Sequence, residues 1–210
     1  MPDSVVKAGE ALLEVRDLVK DFDVSRPWLN RMIERAPRQI LRAVDGISFT
    51  INRGETLSLV GESGCGKSTV ARLICGLYAP SAGSILFAGT DLAKIAHRSD
   101  MLTMRRRFQM IFQDPYASLN PRWRVDSIVA EPVLSHDLMR RGAALDKRVG
   151  ELLTDVGLSP LDREKYPHEF SGGQRQRISI ARALSGSPEF LSATSPPRRW
   201  MFQCRRRSST

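Results

Sequence analysis

No stretch of the 210 residues approaches the ~20 consecutive apolar side chains that a membrane-spanning helix requires. The N-terminus also carries no charged segment followed by an apolar one of the secretory kind. A cytoplasmic protein is expected, and any membrane role needs a partner subunit that does the spanning. Cysteine is scarce: Cys65, Cys75 and Cys204 make an odd, widely spaced set. Such a set argues against a disulfide framework or a zinc site. Acidic residues are outnumbered, 23 against 32 lysines and arginines, for a net charge of +9. Five of those arginines (Arg198, Arg199, Arg205, Arg206 and Arg207) crowd into residues 192–210, which contain no acid; nine less five leaves +4 on the rest, with both signs interspersed. The high isoelectric point is therefore partly a property of the tail, and a nucleic-acid-binding face is not expected.

What is present is the composition of a globular protein, 41% hydrophobic and 26% charged. The length allows one domain with a real core and a small second lobe. Residues 11–18 read as a strand, and 24–42 as an irregular basic excursion. Val44, Ile47, Phe49 and Ile51 mark a second strand. Asn52-Arg53-Gly54-Glu55 is a turn, and Thr56 to Val60 is a short apolar run of the kind found in buried parallel strands. A helix is expected from Ser68 to about Tyr78, closed by Pro80-Ser81-Ala82-Gly83. Strands follow at 84–87 and 108–112, with a helical stretch over 91–107. Between 126 and 157 the pattern is helical: Leu145, Val149, Leu152, Leu153 and Val156 share a face, and Gly157 offers a stop. No internal repeat is found, and the tail from Ser192 has neither period nor caps.

Chemistry first shows in the loop between the Thr56 to Val60 run and the helix that follows it. Gly61-Glu62-Ser63-Gly64-Cys65-Gly66-Lys67-Ser68, followed by Thr69, fills every fixed position of G-x-x-x-x-G-K-[ST]. A phosphate needs several N–H groups converging on it, so the backbone must curl tightly, and glycines permit the curl without a Cβ in the way. The helix that follows presents unpaired N–H groups and the positive end of its dipole. Lys67 adds a point charge for the β- and γ-phosphates, and Ser68 offers a hydroxyl to Mg²⁺. By chance, the four fixed positions arise on the order of once per hundred chains of this length.

A second helix start carries Ser171-Gly172-Gly173-Gln174. Ser171 can cap, and two glycines again bare backbone N–H groups, a pattern suited to an anion. By itself this pattern is also that of an ordinary cap. Ile178, Ala181 and Leu184 form the apolar stripe of the helix beyond it.

The phosphate loop, then Phe112-Gln113-Asp114-Pro115, then Ser171-Gly172-Gly173-Gln174 with Gln176-Arg177, together resemble the ATP-binding cassette (ABC) ATPases. More narrowly, Phe112 to Arg122 and Tyr166-Pro167-His168-Glu169-Phe170 are similar to the ATPase subunits of dipeptide and oligopeptide importers. The resemblance runs from about Leu12 to Leu191. It implies an α/β P-loop NTPase core with an N-terminal antiparallel β part and a helical subdomain at about 113–184, the C-terminal part of the domain missing. It implies ATP and Mg²⁺ as cofactors, and a seat on the inner face of the cytoplasmic membrane. Its partners would be a second ABC ATPase subunit (identical or a paralogue), transmembrane permease subunits and, indirectly, a solute-binding protein. By the same resemblance Lys67 and Ser68 hold phosphate and Mg²⁺, Gln113 sits at the metal and attacking water, and Ser171, Gly172 and Gly173 contact the γ-phosphate held by the other ATPase. Phe22 resembles the aromatic that stacks on adenine, although a lone Phe at a strand end also reads as a core residue. His168 is given no chemistry.

The resemblance breaks after Leu191. The family has there an apolar strand ending in Asp-Glu, a Ser-Ala-Leu-Asp loop and later a switch histidine; this sequence has Ser192-Ala193-Thr194-Ser195-Pro196-Pro197. Trp200 and Met201 have single codons, so the bases TGGATG are fixed, and read one base earlier, with the Arg199 codon ending in C, they give CTG GAT, Leu-Asp. The same shift from Leu191 onward permits Val-Cys-Asp-Glu-Pro-Thr-Ser-Ala-Leu-Asp-Val-Ser-Val-Gln-Ala-Gln, the missing segment in order. The expectation is that one base has been lost near the Leu191 codon, that residues 192–210 are out-of-frame translation cut short by an early stop, and that hydrolysis is lost with the carboxylates. The resemblance implies an ATP-binding subunit of an ABC importer that couples ATP binding and hydrolysis to uptake of peptides or related solutes. Rival readings are a nucleotide-binding remnant, the product of a pseudogene, and an ABC protein acting on nucleic acid or ribosomes; the importer-type motifs argue against the latter.

Overall fold

The computed structural model describes residues 9–25, 37–95, 97–112 and 114–194. Two strands rich in β-branched and aliphatic residues, β1 (Ala11–Asp23) and β2 (Ile40–Asn52), pair antiparallel. β1 pairs on its other edge with β3 (Ala82–Phe87), which pairs with the short β4 (Thr90–Asp91), giving an antiparallel sheet of order β2-β1-β3-β4. The alternation that buries Leu13 and Val15 skips at Asp17, whose φ of 46° makes a bulge and brings Leu18 inward. Opposite the bulge stands Gly83, at φ 85°; a Cβ there would lie 2.3 Å from the Asp17 carbonyl oxygen, so the paired backbone tolerates only glycine.

Helix α1 (Lys67–Ile74) lays Val70, Leu73 and Ile74 against this sheet, and Ile85, Phe87 and Phe108 complete a first core. A one-turn 3₁₀ segment (Leu92–Lys94) and helix α2 (Arg98–Arg107) lead into β5 (Phe108–Ile111). A second core lies in the helical part: the short α3 (Pro115–Ser118), then α4 (Val125–Ser135), α5 (Ala143–Asp155) and α6 (Gly172–Ser185). The stripe Leu145, Val149, Leu152, Leu153 and Val156 is buried there as its spacing predicts, against Val129 and Ile178. After α6 the chain returns as β6 (Phe190–Ala193), parallel to β5, with Phe108 opposite Phe190 and Ile111 opposite Ala193.

Several sequence expectations change. Thr56 to Val60 forms no strand; Leu57, Leu59 and Val60 are exposed, Val60 to 93%. Apolar content alone does not make a strand, because its N–H and C=O groups need a ladder partner, and among the described residues none lies along this run. The α1 helix stops at Ile74 rather than Tyr78, where the N–H groups of Leu77 and Tyr78 both bond back to the Arg72 carbonyl. The 126–157 region is two helices with a turn between them at 136–142, and α6 begins at Gly172, three residues before Arg175. β6 runs two residues past Leu191, because Ser192 and Ala193 find partners in Met110 and Ile111. Most of the 24–42 excursion lies outside the described residues, and its end is already strand from Ile40.

The sheet, α2 and β6 are tied by one carboxylate. Glu189 accepts from Arg107 Nε at 2.6 Å and NH2 at 3.0 Å, and from Arg53 NH1 at 3.0 Å. The Arg107 guanidinium also lies 4.8 Å from the centroid of the Phe87 ring, which meets Phe108 edge-on. The bonds from Arg107, then Arg53, outweigh the cost of partial burial and hold the Glu189 carboxyl below its ordinary value of 4.5.

Two outcomes are expected. Phe87→Ala removes a fully buried ring and should cost about 3–5 kcal/mol, read as a lowered urea midpoint. The Glu189 contribution is fully present above its unfolded carboxylate value and is lost as pH falls through the depressed folded value. Urea midpoints measured from pH 7 down to acid should therefore fall less steeply for Glu189→Gln than for the natural chain; parallel curves would remove Glu189 from the account.

Candidate nucleotide site

The phosphate loop occupies the turn into α1. Gly64 and Gly66 take φ of 87° and 92°, the left-handed region the curl needs. At Gly66 the requirement is doubled, since a Cβ would sit 2.3 Å from the Ala43 carbonyl oxygen on β2. This close approach seats the loop on the antiparallel sheet. Gly66 is the residue before the first helical turn, and its carbonyl accepts from Val70 at 2.9 Å, so the helix starts where the loop ends.

Lys67 folds back across the loop. Its Nζ donates to the carbonyls of Gly61 at 2.7 Å and Glu62 at 2.5 Å and lies 3.4 Å from Cys65 Sγ. The ammonium is thus held within the arc by neutral carbonyls, and among the described residues no carboxylate pairs with it. The Cys65 N–H is turned back to the Glu62 carbonyl. Ser68 is exposed in the first turn and Thr69 half-buried beside it. Loop and residue types fit a phosphate: glycine-freed backbone, a helix N-terminus, and one cation. Cys75, at the far end of α1, is different: burial pushes its thiol up to about 12, which keeps it protonated.

Phe22 lies near the end of β1, half-buried, opposite Leu41. Its ring meets Tyr78 edge-on at 5.5 Å, and Lys20 Nζ sits 5.1 Å from its centroid while donating to the Ala79 carbonyl at 2.8 Å. Sequence reading singled out Phe22 but not Tyr78 or Lys20, whose neighbourhood depends on the α1-to-β3 turn folding onto β1.

The second motif is a closed capping box. Ser171 Oγ accepts from the Gln174 N–H at 3.4 Å, and Gln174 Oε1 accepts from the Ser171 N–H at 3.0 Å. Gly173 has open space where a side chain would be, so the start of α6 stays bare. Arg175 anchors this turn by donating from Nε to the Pro167 carbonyl at 2.7 Å. Arg177 NH1 donates to Gly157 at 3.1 Å, and Arg182 pairs with Glu131 at 2.7 Å while donating to the Ser118 carbonyl. The two glycine motifs thus belong to different cores: α1 packs in the first and α6 in the second.

Gln113 lies outside the described residues. Its neighbour Asp114 accepts from the Tyr116 N–H at 2.8 Å, capping α3. At the carboxyl end of β6, Thr194 donates both its N–H and its hydroxyl to the Ile111 carbonyl, each at 3.2 Å. That strand end beside β5 holds a neutral hydroxyl, already engaged. Between the two cores runs a groove of about 260 Å³, lined by Cys75, Leu77, Leu102, Arg105, Phe112 and Ala183 among others. Among the described residues no helix is long and apolar enough to cross a membrane, and no group of three His, Cys, Asp or Glu side chains is placed to hold a metal.

Comparison with known proteins agrees with these features. The chain is 46% identical over 187 residues to the oligopeptide transport ATP-binding protein AppF of Bacillus subtilis (strain 168), a match covering 89% of this chain and 55% of that protein. It is 49% identical over 187 residues to OppF, the oligopeptide transport ATP-binding protein of the same bacterium, covering 89% and 57%. The chain therefore spans about half the length of the curated relatives it matches. Among solved structures it superposes on the dimeric post-hydrolysis state of the ATP-binding cassette MJ0796 bound to ADP and Pi, with a TM-score of 0.71 and 26% identity over 86% of this chain and 72% of that one. The family model described as ABC transporter matches residues 44–195. With a phosphate loop, an α6 signature start and this fold in one chain, the protein belongs to the ABC transporter family, in its ATP-binding component.

Proposed function

We propose that this chain derives from the ATP-binding subunit of a peptide importer, that it binds MgATP, and that it does not turn ATP over. The observation carrying the binding half is Lys67, held over the curled Gly61–Thr69 loop by the Gly61 and Glu62 carbonyls. These residues would hold the phosphates, with the Ser68 hydroxyl and Gln113 toward Mg²⁺, whose part when bound is to neutralise phosphate charge. Phe22 would stack on the adenine, beside Tyr78 and Lys20. Ser171, Gly172 and Gly173 would meet the ATP of a second subunit. The placement of the two motifs on separate cores and the dimeric state of the similar cassette support that reading.

The relatives' names support peptides as the transported class; permease subunits would be the partners, at the inner face of the cytoplasmic membrane. The groove between the cores, with exposed Leu77, Leu102 and Phe112 and cationic Arg105, is suited to a permease segment.

The loss of turnover rests on the end of β6. In the shifted frame, the triplets for Asp and Glu straddle Ala193/Thr194 and Thr194/Ser195. On this reading the Thr194 hydroxyl, which donates to the Ile111 carbonyl, would take the place of that carboxylate and, being uncharged, would not replace it. Residues 192–210 are read as out-of-frame, and 1–191 as an incomplete ABC-type domain with its helical part at about 113–184.

Titration with a fluorescent ATP analogue should give saturable binding that Lys67→Ala weakens about tenfold or more, the scale of losing a charge-assisted hydrogen bond. Steady-state phosphate release should stay at background. A rate matching that of an intact relative would refute the loss of turnover, and absence of saturable binding would refute the phosphate site.

A further inference from the structure

The start of α6 depends on one aromatic residue that its motif does not contain. Arg175 closes the first turn, and its guanidinium is held on two sides. Its edge donates to the turn before the helix, Nε to Pro167 at 2.7 Å and NH2 to His168 at 3.4 Å. Its face lies 4.1 Å from the centroid of the Tyr116 ring. A Cβ built on Gly172 would stand 3.9 Å from the Tyr116 hydroxyl, so the hydroxyl end of the ring reaches the first glycine of the pair. Yet Tyr116 is 62% exposed. Core packing does not account for it; the stacked guanidinium does.

Tyr116 is itself on a fixed support. Its N–H bonds Asp114 Oδ1 at 2.8 Å. One helical turn and two turns beyond Arg175, α6 grips the same short helix: Ser179 Oγ lies 3.2 Å from Ser118 Oγ, and Arg182 NH1 donates to the Ser118 carbonyl at 2.8 Å. The later turns of α6 are thus tied to α3 independently of Tyr116. What the ring adds is confined to the first turn, where Gly172 and Gly173 present their N–H groups beside the Ser171–Gln174 box.

We infer that Tyr116 is the positioning residue for the Ser171–Gln174 motif, acting through the face of Arg175; its consequence for a second subunit's ATP rests on the composite-site reading above. The ring face makes the contact, so the hydroxyl is dispensable and Tyr116→Phe keeps the function.

Hydrogen exchange of the whole chain tests this, followed at the amides of Arg175 to Ile178. Tyr116→Ala should speed their exchange about two- to fivefold, the scale of an exposed cation–π contact. Tyr116→Phe should match the natural chain, and α5 amides should not change. Exchange unchanged in Tyr116→Ala, equally raised in Tyr116→Phe, or raised as much in α5 would overturn the inference. Sedimentation in MgATP supplies the second readout. Self-association should weaken two- to fivefold in Tyr116→Ala and return in Tyr116→Phe, while affinity for the fluorescent ATP analogue stays within twofold. Association unaffected in Tyr116→Ala would overturn the positioning role. A natural chain that does not associate at all would instead overturn the composite-site reading, and the exchange result would then decide the stack by itself.

Discussion

A β-strand exists only where another strand accepts its hydrogen bonds, and that requirement organises this molecule. β1 has partners on both edges and carries three of the most deeply buried side chains of the first core, Leu13, Val15 and Leu18. β6 has one partner among the described residues, β5, and its Leu191 is 41% exposed. Thr56 to Val60 has no partner among the described residues and is exposed throughout. These three cases form a series in burial that follows the number of paired edges rather than hydrophobicity, since the 56–60 run is as apolar as the strands that succeed. The phosphate loop directly follows the least supported of the three. It keeps its shape because Gly66 is pressed against Ala43 of β2 and α1 is packed on the sheet, contacts that do not pass through 56–60.

The helical part obeys a different rule. α4, α5 and α6 bury continuous stripes on one another, and their polar ties are local: the Ser171–Gln174 box, Arg175 on the Pro167 carbonyl, and Arg182 on Glu131 and Ser118. None of these depends on the parallel strands. The signature start is therefore formed within its own core, while Glu189, gripped by Arg107 and Arg53, joins that region's exit to the antiparallel sheet.

Much of this was legible from residue patterns. The α5 stripe from Leu145 to Val156, the strand positions of β3 and β5, and the two glycine motifs at helix starts each follow from local periodicity or from an N–H count at a helix end. What was not legible depended on distant partners. The failure of 56–60 as a strand is a matter of its neighbours. The extension of β6 through Ser192 and Ala193, residues of no strand preference, comes from Met110 and Ile111 alongside them. Tyr116 stood within a quoted motif, yet its partner Arg175 lies across the helical core, and only the fold joins them. The same holds for Tyr78 beside Phe22.

The account's centre is a separation of binding from chemistry. Groups that would hold phosphate are assembled on the first core, and those that would complete a partner's site on the second. At the end of β6 stands Thr194, bonded to Ile111. On the proposed reading a magnesium-orienting carboxylate is missing there, the chain binds without turnover, and Thr194 derives from a shifted frame. The direct measurement is the genomic DNA sequence across and beyond the Leu191 codon, in independent reads. The account predicts that restoring one base there encodes Val-Cys-Asp-Glu-Pro-Thr-Ser-Ala-Leu-Asp and continues as an ABC-type domain. Downstream DNA with no such continuation in any frame would contradict it.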